Sequence, residues 1–61
     1  MVQSFRENEI VLYNDHGKWV QSKIIKIHYE EVPPYYTIMV YGKNNREVQT
    51  IYNKLKKIKI R

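Results

Sequence analysis

Apolar residues along this chain recur mostly every second position, the signature of half-buried strands. "EIVLY", Glu9 to Tyr13, is a β-branched and aromatic run that ends in "NDHG", a cluster of turn formers in which Gly17 can take positive φ. The next run, "KWVQSKIIKIHY", places Val20, Ser22 and Ile24 on one face, but its next apolar anchor, Ile27, falls three residues on rather than two. A bulge near Ile25–Lys26 restores the phase and bends the strand sharply. "EEVPP" is a turn, because Pro33 and Pro34 cannot donate to a central ladder. "YYTIMVY" is the clearest strand, with Tyr36, Ile38 and Val40 on one face and Tyr35, Thr37, Met39 and Tyr41 on the other. "GKNN" is a tight turn and "REVQTI" a fourth strand.

The end of the chain reads in two ways. "YNK" fits one helical turn, followed by a strand with Leu55, Ile58 and Ile60 as its buried positions. The spacing of Ile51, Leu55 and Ile58 also suits a C-terminal helix. The rest has no amphipathic helical pattern. Four to five strongly bent antiparallel strands in so short a chain predict an all-β fold, a small SH3-like barrel.

Length and composition narrow this further. The 61 residues form one domain, with its core over about residues 5–60, and it reads as a piece that a longer protein can contain. A chain of this size buries only about 60% of its unfolded surface, so stability is marginal. It has no cysteine, which removes disulfides, thiolate metal sites and a Cys nucleophile. No apolar run reaches the length of a membrane span and no signal-peptide pattern opens the chain, so an intracellular, soluble and monomeric domain is expected.

The formal charge is +5, and it is unevenly spread. Lys54, Lys56, Lys57, Lys59 and Arg61 fall in the last eight residues with no acid, whereas Met1 to Asn53 holds six basic and six acidic residues. This cationic end could contact phosphates, and it matches a nuclear-localisation patch in composition.

Catalytic signals are weak. His16 and His28 lie far apart without a carboxylate at ligand spacing, so no metal site is expected. Ser22 falls in phase with the core, which argues against a triad with Asp15 and His16. Gly17 and Gly42, the two glycines, make no phosphate-cradling loop, and no cofactor is expected. The six tyrosines and Trp19 are the informative side chains. Tyr36 is in phase with the core. Trp19 serves either as a cover for the barrel end or as a ligand surface. Tyr35, Met39 and Tyr41, with Lys43 and Arg46 near their end, are the best outward stacking surface, and Arg46 reads as an exposed turn partner.

These residues also carry a family resemblance. The aromatic Tyr13, a short turn closing on Gly17 and then "WVQSKIIKI" resemble the first hairpin of Tudor domains. "YGKNNREVQTIYNKL" is similar to the later Tudor segment, most specifically at Asn45-Arg46-Glu47 with Gln49. The likeness runs from Phe5 to Leu55 and is nearest to the survival motor neuron type. It implies a Tudor-like barrel that binds a protein segment, and in that family an aromatic cage often holds methylated arginine or lysine by cation–π attraction. Carried over residue by residue, Tyr13 stands at the first cage position and Val20 at a second that is aromatic in arginine readers. Tyr41 matches a third through a gap, Lys43 falls where a fourth ring would stand, and Asn45 matches the polar residue that assists. The expected reader surface is therefore Tyr13, Trp19, Tyr41 and Asn45, with Glu30 and Glu31 helping to attract a cation if their loop shares that end. The alternative is a nucleic-acid-binding barrel using the basic C-terminal segment and exposed tyrosines. A third reading is a structural barrel that docks within a larger protein.

Overall fold

In the computed structural model, which describes residues 4–58, the first hairpin pairs β1 (Ile10–Asp15) with β2 (Lys18–His28), Asp15 standing opposite Lys18. Only His16 and Gly17 lie between them, both with positive φ (53° and 90°), the geometry that lets a two-residue loop follow the strand twist. Asn14 Oδ1 accepts a hydrogen bond from Gly17 N at 2.8 Å and holds the turn shut.

β2 bends where the sequence predicts. Ile24 pairs with Ile38 and Lys26 with Thr37 of β3 (Tyr35–Val40), so Ile25 is the extra residue. The bulge turns Ile24 and Ile27 both inward and leaves Ile25 facing water. Because β1 covers β2 only as far as Lys23, the segment before β1 takes over the exposed edge. Asn8 N donates to Ile24 O at 2.7 Å, Ile24 N donates to Glu9 O at 2.9 Å, and the Glu7 carboxylate accepts from Ile27 N at 3.2 Å.

β3 returns after the loop of Tyr29 to Pro34 and pairs with β4 (Arg46–Ile51), placing Val40 opposite Arg46, Ile38 opposite Val48 and Tyr36 opposite Thr50. A 3₁₀ turn, Tyr52–Lys54, leads into β5 (Leu55–Lys57), which lies antiparallel to β1. The C-terminal helix is thus not formed among the described residues. Ile51 and Leu55 are both extended, and pairing Leu55 with Tyr13 makes ladder bonds that a helix would forgo. Ile60 lies outside the described residues.

The five strands form one antiparallel sheet in the order β4-β3-β2-β1-β5. The sheet curls into a small barrel-like shape that is not closed, since β4 and β5 stand at its two edges. Inside it lie Phe5, Val11, Ile24, Ile27, Tyr36, Ile38, Val40 and Leu55, with Tyr13, Val20 and Val48 packed against them. Phe5 meets Tyr36 edge to face, with ring centroids 5.7 Å apart. Ser22 is the buried polar residue of this core, and its hydroxyl donates to Val20 O at 3.0 Å.

An ion pair joins the N-terminal segment to the last strand: Lys57 Nζ lies 2.8 Å from Glu9 Oε2. Burial alone would raise the Glu9 pKa. The Lys57 hydrogen bond, the Arg6 amide and the charges of Lys57 and Arg6 together outweigh it, so the carboxyl is held below its ordinary value. A depressed carboxylate pKa contributes stability that is present above the ordinary glutamate range and lost as pH falls through the folded value. Urea melts taken between about pH 6 and pH 3 should therefore lose more stability in the parent protein than in Glu9→Gln. Parallel losses in the two proteins would remove Glu9 as a source of acid sensitivity.

Candidate functional site

Strand alternation sorts the expected site residues onto two faces. On β1, Tyr13 shares the phase of buried Val11 and stands opposite Val20 on β2 and Leu55 on β5, half-buried at the inner mouth of the barrel. Trp19 pairs with Asn14 instead and turns to the outer face, where it is 42% exposed. Tyr41 extends the β3 ladder by one residue, its N–H donating to Gln21 O at 3.1 Å, and so shares the outer phase of Gln21. Trp19 and Tyr41 are then diagonal positions on the outer face, Trp19 standing two residues along β2 from Gln21. Asn45 lies in the β3–β4 turn, where its Oδ1 accepts from Gly42 N at 3.2 Å. The expected single surface is divided: Tyr13 faces in, Trp19 and Tyr41 face out, and Asn45 closes a turn.

What joins the two turns is a contact with no local sequence signal. Arg46 is in register with Val40 and so shares the inner phase; its Nη2 donates to Asp15 Oδ2 at 2.7 Å. Arg46 is thereby removed from the outward stacking surface expected for it. At the inner mouth, a guanidinium from the second turn lies on a carboxylate of the first, two residues along the same face from Tyr13.

The outer face has its own cation. Lys56 Nζ sits 4.3 Å from the centroid of the Trp19 ring, an exposed cation–π contact of roughly 0.5–1 kcal/mol. Its neighbour Lys57 shares the phase of Val11, is committed to Glu9 and lies 5.2 Å from the Phe5 ring centroid. Lys54 is exposed in the 3₁₀ turn, whereas Lys59 and Arg61 lie outside the described residues. The basic segment is therefore not one continuous charged strip over Lys54 to Lys57.

Tyr35 is less free than the sequence suggests. The His28 ring stacks on it at 4.0 Å with an 8° interplanar angle, and His28 Nε2 shares a hydrogen bond with Thr37 Oγ1 at 2.8 Å. Glu30 lies beside that histidine, its Oε2 3.6 Å from His28 Nδ1. Glu30 and Glu31 thus follow the C-terminal end of β2, while Trp19 and the first turn mark its N-terminal end. They do not share the inner mouth with Tyr13. Among the described residues, no three His, Cys, Asp or Glu side chains gather as metal ligands, and no helix is long and apolar enough to cross a membrane.

No family model, no curated protein and no solved structure matches the chain.

Proposed function

We propose that this protein is a non-catalytic interaction module that receives a cationic side chain of another protein, a methylated arginine or lysine, at its inner mouth. The observation that carries this reading is the Arg46 guanidinium resting on Asp15 beside Tyr13. A flat cation on a carboxylate, two residues along the strand from an aromatic side chain, is the chemistry such a ligand would bring. Arg46 is half-exposed, so an arriving cation can compete for Asp15 without breaking into the core. Tyr13 supplies a ring face, and the second lone pair of Asn45 Oδ1 is available to a ligand N–H. Few rings converge here, so the expected affinity is weak and most of it comes from the segment flanking the cation.

The test is an amide NMR titration with methylated and unmethylated arginine and lysine peptides. Shifts should centre on Tyr13, Asp15, Asn45 and Arg46 and require the methylated form. Tyr13 also packs against the core, so truncation to alanine would confuse binding with folding. Tyr13→Leu keeps apolar bulk and removes the ring; it should weaken the methylated peptide at least about tenfold while the spectrum stays dispersed. Unchanged affinity in a folded Tyr13→Leu protein would sink the reading.

A further inference from the structure

We propose that the outer face of β1, β2 and β5 is a seat for single-stranded nucleic acid, with Trp19 as the stacking platform and Lys23, Lys26 and Lys56 as phosphate partners. This goes beyond the peptide reading, because it uses the opposite side of the sheet. Tyr41, the diagonal neighbour of Trp19, supplies a second ring.

The argument starts from where the acids are. Glu9 and Asp15 are held by Lys57 and Arg46, and the Glu7 carboxylate accepts from the Ile27 amide. Glu30 and Glu31 sit in the loop after β2. Among the described strand residues, this leaves Glu47 as the acid in the outer phase, beside Met39 on the far side of β3 from β2. The same phase carries Lys23 opposite Ile10 and Met39, Lys26 opposite Thr37, and Lys56 opposite Leu12. A domain body that is neutral in sum therefore presents a positive outer face, which a polyanion complements.

Trp19 makes that partner a nucleic acid with unpaired bases. An exposed indole offers a π-face that any base can stack on, whereas a base paired within a duplex keeps its faces covered. Lys56 occupies the ring in the free protein, but base stacking outweighs an exposed cation–π contact, so a base displaces the ammonium. The freed ammonium remains next to the ring, where the stacked nucleotide brings its own phosphate. Lys23 lies about 13 Å along β2 from Trp19, in reach of a phosphate further along the strand.

Trp19 is the single tryptophan, so its fluorescence reports on the platform directly. Titration with a ten-nucleotide oligothymidylate should quench it, whereas polyglutamate of equal charge should not. Three phosphate contacts on a single strand give a salt slope of about −2, hence about a 20-fold loss of affinity between about 50 and 200 mM salt. The double substitution Lys23→Gln with Lys56→Gln, both on the sheet surface, should flatten that slope to about −0.7 and weaken binding at low salt at least about tenfold. Tyr13→Leu should leave this titration unchanged, which separates it from the peptide site. The seat is refuted by oligothymidylate that fails to quench Trp19, or by quenching and slope that survive the double substitution. Equal affinity and equal quenching with polyglutamate would assign the face to an acidic protein instead.

Discussion

Ile24→Ala is expected to leave most molecules unfolded in plain buffer, while Ile25→Ala, one residue along, leaves the domain intact. The two side chains are identical and adjacent, and the bulge alone decides their fates. Ile24 is 0% exposed and lies beside its ladder partner Ile38 on the inner face, whereas Ile25 is 39% exposed on the outside of the bend. Truncating a fully buried isoleucine costs about 2–5 kcal/mol in lost transfer energy and cavity. A core of this size supplies only about 3–5 kcal/mol of net stability, so the loss consumes most or all of it. The exposed neighbour should shift stability by about 0.5 kcal/mol. Circular dichroism with urea titration of both variants is sufficient, and equal losses in the two would mean that the bulge is wrongly located.

The second large effect runs against hydrophobicity. Ser22→Leu adds apolar bulk to an apolar core and should still destabilise more than Ser22→Ala. Ser22 is 0% exposed and stands between Val11 on β1 and Val40 on β3, both buried, with its hydroxyl turned back to Val20 O. The strand spacing on either side is set by ladder hydrogen bonds, so the sheet cannot part to admit a larger side chain. Overpacking of this kind costs about 1–3 kcal/mol. Alanine loses one hydroxyl bond, about 0.5–1.5 kcal/mol, and leaves Val20 O with a second lone pair for its other partners. Thermal midpoints in the order parent, Ser22→Ala, Ser22→Leu would support this close packing. A leucine variant as stable as the parent would show slack in the core that the burial of Ser22 denies.

Much of this architecture was legible in residue order. The phase slip from Ile24 to Ile27 located the bulge, because a strand that must bury both cannot keep strict alternation. The alternation of Tyr36, Ile38 and Val40 predicted the inner face of β3, and Pro33-Pro34 the break before it. Phase even separates Trp19 from Tyr13, which is why those two aromatics do not meet. What the sequence does not display is any contact made by the curl of the sheet. Asp15 and Arg46 are 31 residues apart, and Glu9 and Lys57 are 48 apart. Each is a charged residue in a run of ordinary composition, and only the three-dimensional arrangement decides which partner it finds. The same holds for charge as a whole: counting along the chain placed the surplus in the tail, whereas pairing inside the fold uncovers a second surplus on the outer face. The C-terminal helix was the misleading periodicity. Ile51 and Leu55 have helical spacing because a three-residue 3₁₀ turn separates β4 from β5, and Ile58, the third member of the pattern, lies just past β5.

The bent β2 strand also fixes how the protein can come apart. One half of it holds β1 and the other half holds β3, so neither hairpin owns it. A backbone cut in the Tyr29–Pro34 loop would leave β1–β2 with Ile24 and Ile27 bare, and β3–β4 with Tyr36 and Ile38 bare. Neither fragment retains an interior to hide them in. The domain is therefore indivisible: its two halves survive proteolysis together or are digested together, with no stable half-product to accumulate between.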